Sequence, residues 1–249
     1  MKRIVGIALA LLLAACASGG GGFIGASSEK SKKAAMLNVQ LAQAYLKKGQ
    51  LDVARDKLKR ALDLDPFSPE AHTMAGFLQE TIGDTVQAEL HFRRAVEIAP
   101  KSGDMNNNYG SFLCRQGKFD MADAAFRQAI ADPYYRTPEV AMTNAGMCAK
   151  SAGNLEQSEN YLRQALDRKP DNLAALLPMA SVLHARGDHL RARAFMQRYD
   201  ASGVASAEAL LLGVRIETAL GDNSSAEDYR RRLASAYPRS PEAKSLEMQ

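Results

Sequence analysis

Residues 41–62 read Leu41-Ala42-Gln43-Ala44-Tyr45-Leu46-Lys47-Lys48-Gly49-Gln50-Leu51-Asp52-Val53-Ala54-Arg55-Asp56-Lys57-Leu58-Lys59-Arg60-Ala61-Leu62. Leu41, Ala42 and Tyr45 lie at helical spacing before the glycine, and Ala54, Leu58, Ala61 and Leu62 after it. The spacing predicts one amphipathic helix on each side of a turn. Gly49 supplies the left-handed backbone that ends the first helix without a Cβ clash. Pro66 then stops the second, because it has no N–H and restricts the residue before it.

The unit recurs along most of the chain. Gly49, Gly83, Gly117, Gly153, Gly187 and Gly221 are spaced by 34 residues, once by 36. Five residues after each stands a small side chain: Ala54, Ala88, Ala122, Ser158, Ala192 and Ala226. Leu58, Phe92, Phe126, Leu162, Met196 and Arg230 follow four residues later, and Pro66, Pro100, Pro133, Pro170 and Pro238 close most units. A fixed period of this length means stacked supersecondary units. The pattern resembles the tetratricopeptide repeat (TPR), which implies an all-α fold, a right-handed α-solenoid of six helix pairs spanning residues 35–249. Residues 240–248 read as a C-terminal capping helix, since terminal repeats need a polar outer face.

Three departures interrupt the pattern. The linker Asp132-Pro133-Tyr134-Tyr135-Arg136-Thr137-Pro138 carries the two extra residues, predicting a bend or a staple. Pro178 falls inside the first helix of unit five, predicting a late start or a kink. That unit also lacks its closing proline and reads Asp200-Ala201-Ser202-Gly203-Val204 instead.

Before the repeats, Met1-Lys2-Arg3 and the apolar run Ile4–Leu13 have the form of a secretory signal, too short for a spanning helix of about 20 residues. The run ends in Leu13-Ala14-Ala15-Cys16, which resembles the lipobox of bacterial lipoproteins. That resemblance implies a signal peptide over 1–15, removed before Cys16, and acylation of Cys16. Ala17 after the cysteine points to the outer membrane, periplasmic face. Residues 16–34, rich in Gly and Ser, read as a tether; about 17 flexible residues reach roughly 20–25 Å.

Composition narrows the function by exclusion. With 32 Lys and Arg against 28 Asp and Glu, the chain lacks the basic excess that nucleic-acid binding requires. Six per cent aromatic residues and no Trp disfavour stacking on bases or sugars. The four histidines show no metal-ligand spacing, no Gly-rich phosphate loop stands outside the repeat, and no G-x-S-x-G elbow occurs. The reading is a non-enzyme with no metal, cofactor or small-molecule substrate. Cys114 and Cys148 fall late in the first helices of units three and four, which should be neighbours. A bridge requires Cα atoms within about 7 Å; the alternative is two buried thiols acting as small apolar groups. Export to an oxidising compartment favours the bridge.

The TPR resemblance implies that positions 2, 5, 9, 12 and 13 of each first helix face an inner groove. On units one and two this predicts a partner-binding groove of Met36, Val39, Gln43, Leu46, Thr73 and Phe77, with apolar side chains left for another protein. In a competing arrangement, residues 23–34 fold back over that strip with Phe23 and Ile24. The basic clamp that holds acidic carboxyl-terminal peptides is absent, since its positions carry Val39, Gln43, Met74, Asp104 and Asn108.

Lipobox, tether and six repeats together resemble the type IV pilus biogenesis and stability lipoproteins of the PilF/PilW type. Asn106-Asn107-Asn108-Tyr109-Gly110-Ser111-Phe112-Leu113-Cys114, Ala131-Asp132-Pro133-Tyr134-Tyr135 and Asn144-Ala145-Gly146-Met147-Cys148 carry the local likeness. The resemblance implies a pilotin that binds the pilus secretin, brings it to the outer membrane and supports its multimer assembly, and with it fimbriae and twitching motility. The alternative is another periplasmic TPR lipoprotein, serving outer-membrane protein assembly or murein enzymes.

Overall fold

The structure is a computed structural model that describes residues 27–247; Cys16, Phe23, Ile24, the signal segment and the Gly-rich stretch lie outside the described residues. The described chain is helical throughout, with helices α1 Glu29–Lys47, α2 Leu51–Leu64, α3 Pro69–Thr81, α4 Thr85–Ile98, α5 Gly103–Arg115, α6 Phe119–Ala131 and α7 Pro138–Ser151. They continue as α8 Leu155–Arg168, α9 Leu173–Ala185, α10 His189–Asp200, α11 Ala207–Ala219, α12 Asn223–Ala236 and α13 Pro241–Glu247. Six pairs, α1/α2 to α11/α12, each pack on themselves and on the next pair, and α13 closes the far end against α11 and α12. This is the α-solenoid expected from the period.

Local chemistry explains most boundaries. Within a pair, the glycine turns the chain at positive φ, +70° at Gly49 and +79° at Gly153. The next helix is then capped by the side chain that follows, as Asp84, Asn154, Asp188 and Asp222 accept the amide three residues on. Before α3, α5 and α11 the cap is a serine: Ser68, Ser102 and Ser206 accept from Ala71, Met105 and Ala209. Each such cap is worth about 1 kcal/mol. The helices of a pair meet closely because small residues face large ones. A Cβ on Gly110 would lie 2.9 Å from the Phe126 ring.

The structure differs from the sequence expectation at the start of α1 and in α9, and it decides between the alternatives at the third linker. Helix α1 begins at Glu29, inside the stretch read as tether, because Ser28 caps the amide of Ser31 and Glu29 pairs with Lys32. Residues 29–34 therefore extend the first helix and do not fold back over a groove. The long third linker is a staple: Asp132 accepts the Gly103 amide at 2.8 Å and Tyr135 is buried. Helix α9 starts on time at Leu173 and runs through Pro178 as one helix to Ala185. Arg230 stands half-buried in α12 and pairs with Glu227, while Tyr229 and Leu233 carry the packing.

Successive pairs are also joined by polar contacts. Glu159 on α8 meets Arg163 of its own helix, Arg186 beyond α9 and Arg191 on α10. Asp200 on α10 takes both guanidinium nitrogens of Arg232 on α12, at 2.6 and 2.8 Å. Glu89 meets Lys118, and Asp123 accepts from Gln157 and the Tyr161 hydroxyl.

Candidate functional site

The inner surface of the solenoid is built by the first helices α1, α3, α5, α7, α9 and α11. At its start the predicted strip is only partly on the surface. Val39 is only 6% exposed, packed with Ala35, Ala61 and Ala71. Thr73 is buried and donates its hydroxyl to the Met105 sulfur at 3.0 Å. Leu46 is half-buried against Ala42, Ala54, Leu58 and Ala75, and Phe77 packs edge-on against Phe92 with ring centroids 5.0 Å apart. Only Met36 and Gln43 of the six stand exposed. The cause is small residues between stacked first helices: Ala71 and Ala75 let α3 approach α1, and position 5 is covered. Val39 and Thr73 are therefore corrected from groove lining to core, while Met36, Gln43, Leu46 and Phe77 keep some exposed surface.

Further along, the surface turns polar. Arg115 makes two hydrogen bonds to Glu80, at 2.6 and 2.8 Å. Asn144 donates to Asn107 at 3.0 Å and Asn172 donates to Thr143 at 3.1 Å, so amides bridge α5, α7 and the start of α9. Beside this polar stretch, Cys114 and Cys148 form a disulfide between α5 and α7, Cα atoms 5.8 Å apart.

An apolar cavity of about 550 Å³ opens next, between α7, α9 and the start of α11. Met147 enters it from α7, Leu173, Leu177 and Pro178 from α9, with Tyr199 and Val204 behind. Lys150, Ser181 and Glu208 supply its polar groups, and Lys150 donates to the Ser181 hydroxyl at 2.7 Å. Three local features produce it. Helix α9 is apolar nearly all round: Leu176, Met179, Ala180 and Leu183 are buried in the core, which leaves Leu173 and Leu177 for the other side. Pro178 has no N–H to give to the Ala174 carbonyl, so that acceptor is left without its intrahelical donor. The α10–α11 connection lacks a closing proline, turns at Gly203 with φ +74°, and carries Val204 to the cavity.

Met147, Lys150, Ser151, Ala174, Leu177, Ser181 and Glu208 occupy the same five groove positions in units four to six that were used to predict the strip in units one and two. Carrying that rule to the end of the repeats finds the cavity. A space of this size and lining suits a few apolar side chains of a partner. Among the described residues no group of three His, Cys, Asp or Glu side chains could hold a metal.

Comparison with known proteins agrees with this architecture. Residues 39–103 and 149–213 match profiles of the tetratricopeptide repeat. The chain is 27% identical over 204 residues to the type IV pilus assembly protein PilF of Pseudomonas aeruginosa, covering 82% of this chain and 81% of that one. The crystal structure of PilW, a widely conserved type IV pilus biogenesis factor, superposes with a TM-score of 0.79 at 31% identity, over 85% of this chain and 97% of PilW. The structure of Pseudomonas aeruginosa PilF superposes with a TM-score of 0.78 at 25% identity, over 88% of this chain and 99% of PilF. The likeness runs through all the repeats and so covers more than a shared repeat unit. The chain belongs to the tetratricopeptide-repeat family of type IV pilus biogenesis proteins that includes PilF and PilW.

Proposed function

We propose that this protein is a pilotin: a lipoprotein, acylated at Cys16, that holds the pilus secretin, delivers it to the outer membrane and supports its multimer assembly. The apolar cavity between α7, α9 and α11 carries this reading, because it gathers the partly exposed apolar side chains of Met147, Leu173 and Leu177 in one place. Its occupant is an amphipathic helical segment of the secretin. Two or three apolar side chains enter beside Met147 and Leu177, the usual anchoring of a helix in a groove. Lys150 and Glu208 meet opposite charges on the segment's polar face, and the Ala174 carbonyl accepts a hydrogen bond. Similarity to PilF and PilW over nearly their whole length supports the pilus system as the setting.

The test is Met147→Asp and Leu177→Asp in the full-length protein. Both side chains are partly exposed, so helical content by circular dichroism should match the parent. The expected result is loss of secretin co-purification and loss of secretin multimers from the outer-membrane fraction. Cys16→Ala should release the protein from membranes yet leave secretin binding intact. Normal binding by both aspartate variants would remove the cavity from the mechanism.

A further inference from the structure

In a stacked array each unit is covered by its predecessor, and the first has none. The residues equivalent to Leu37 in units two to six are Ala71, Met105, Ala141, Ala175 and Ala209, and all are buried. Leu37 itself is 57% exposed, and Leu41, whose equivalents Ala75, Ala145 and Met179 are buried, is 38% exposed. The uncovered side of α1 is therefore a defined stripe: Lys30, Lys33, Leu37, Leu41, Ala44 and Lys48 follow one another at helical spacing, and every one is exposed. Two leucines are framed by lysines at both ends. None of the three lysines has a carboxylate partner among the described residues. The carboxylates of Glu29, Asp52 and Asp63 are taken up by Lys32, Arg55 and Lys59 in their own turns.

We propose that this first edge of the solenoid, α1 with its lysine-framed leucines, rests on an anionic lipid surface. The lysines match phosphate headgroups, and Leu37 and Leu41 reach the boundary below them, the combination that holds peripheral helices on membranes. A second copy of the chain fits poorly, since two such edges face to face would bring like charges together. The proposal rests on the lipid-anchored reading, which puts the edge within reach. Cys16 and Ser27 are eleven residues apart, at most about 40 Å of chain, and Ser27 is fixed beside α1 by its 2.6 Å hydrogen bond to Asp65. Contact along this edge orients the solenoid on the membrane, with α1 nearest the lipid and the cavity of units four to six further along the array.

The experiment uses the full-length lipoprotein with an environment-sensitive fluorophore on Leu41→Cys; Cys114 and Cys148 are bonded to each other and do not compete for label. It is reconstituted in phosphatidylcholine vesicles with or without phosphatidylglycerol. The expected result is a blue shift and severalfold weaker quenching by iodide with phosphatidylglycerol. Both effects should vanish in Lys30→Glu/Lys33→Glu/Lys48→Glu, and a probe on Ser235→Cys at the other end should stay in water. Protein that floats with the vesicles while the Leu41 probe remains aqueous would overturn the edge contact and leave the anchor standing. Protein that does not float with either vesicle would overturn both. A blue shift in vesicle-free detergent that grows with protein concentration would assign the edge to a second copy and overturn the lipid reading.

Discussion

Breaking the Cys114–Cys148 bond should lower stability by about 3–4 kcal/mol. The two residues are 34 apart, and closing a loop of that size removes roughly 12–13 cal/mol/K from the unfolded chain, about 3.8 kcal/mol at 25 °C. The bond joins α5 to α7, so it holds units three and four together, and each unit depends on its neighbours for its core. With a urea m-value of about 3 kcal/mol/M for a domain of this size, the midpoint should fall by about 1.2 M. The transition should also broaden as the two halves begin to unfold separately. The assay is urea titration followed by circular dichroism, with and without reductant, alongside Cys114→Ala/Cys148→Ala. The reductant arm gives the cleaner value, because Cys148 is buried and its replacement also loses packing. Equal midpoints for oxidised and reduced protein would refute the reasoning.

Two further outcomes are expected. Gly110→Ala places a methyl 2.9 Å from the Phe126 ring and 3.2 Å from the Ala122 carbonyl, and should cost about 1–3 kcal/mol, read as a lowered urea midpoint; an unchanged midpoint would mean that α5 and α6 are not closely packed. Acid should loosen the last three units first. Burial raises the Glu159 pKa, but hydrogen bonds and charge from Arg191, Arg163 and Arg186 outweigh it and hold the carboxyl below its ordinary value. Arg232 holds Asp200 down in the same way. Carboxyls with depressed folded pKa values stabilise fully above about pH 4 and lose that contribution as pH falls through the folded value. Amide hydrogen exchange in α8, α10 and α12 should therefore rise below pH 4 before that of α4 and α6, and Glu159→Gln should flatten the response in α8.

Most of the fold is legible in the period because the repeat states its packing openly. In units one to five the glycine after the first helix, the small residue five positions on and the apolar residue four beyond that are each turned, or buried, as the pattern requires. The start of α1 was harder to read, since Ser27-Ser28-Glu29-Lys30-Ser31 has linker composition while Ser28 also has the chemistry of a helix cap. The polar links between pairs, Glu159 to Arg191 and Asp200 to Arg232, join residues 32 positions apart. Nothing in local spacing selects those partners from the many charges on helix surfaces. Val39 and Thr73 leave the predicted groove for a related reason. A position facing the inner curve is exposed only if its neighbours leave it so, and Ala71 and Ala75 draw α3 over Val39.

What a repeat cannot specify is a single place, because every unit reads alike; a binding site requires that the rule be broken. The breaks in this chain fall together. Pro178 inside α9 lines one cavity together with Val204, which follows the left-handed turn at Gly203 in the connection that lacks a closing proline. Each has a local cost: Pro178 removes a helix hydrogen bond, and the α10–α11 connection gives up a pre-formed stop. Structures retain such costs where the surrounding packing permits and function uses the result. The same logic identifies the first edge. Leu37 and Leu41 are ordinary stacking residues by sequence, and only their position at the end of the array, with lysines on both sides, turns them into surface. In a solenoid, then, the sites are sought where equivalent positions stop being equivalent, and in this protein those positions are the edge of α1 and the inner face of α7, α9 and α11.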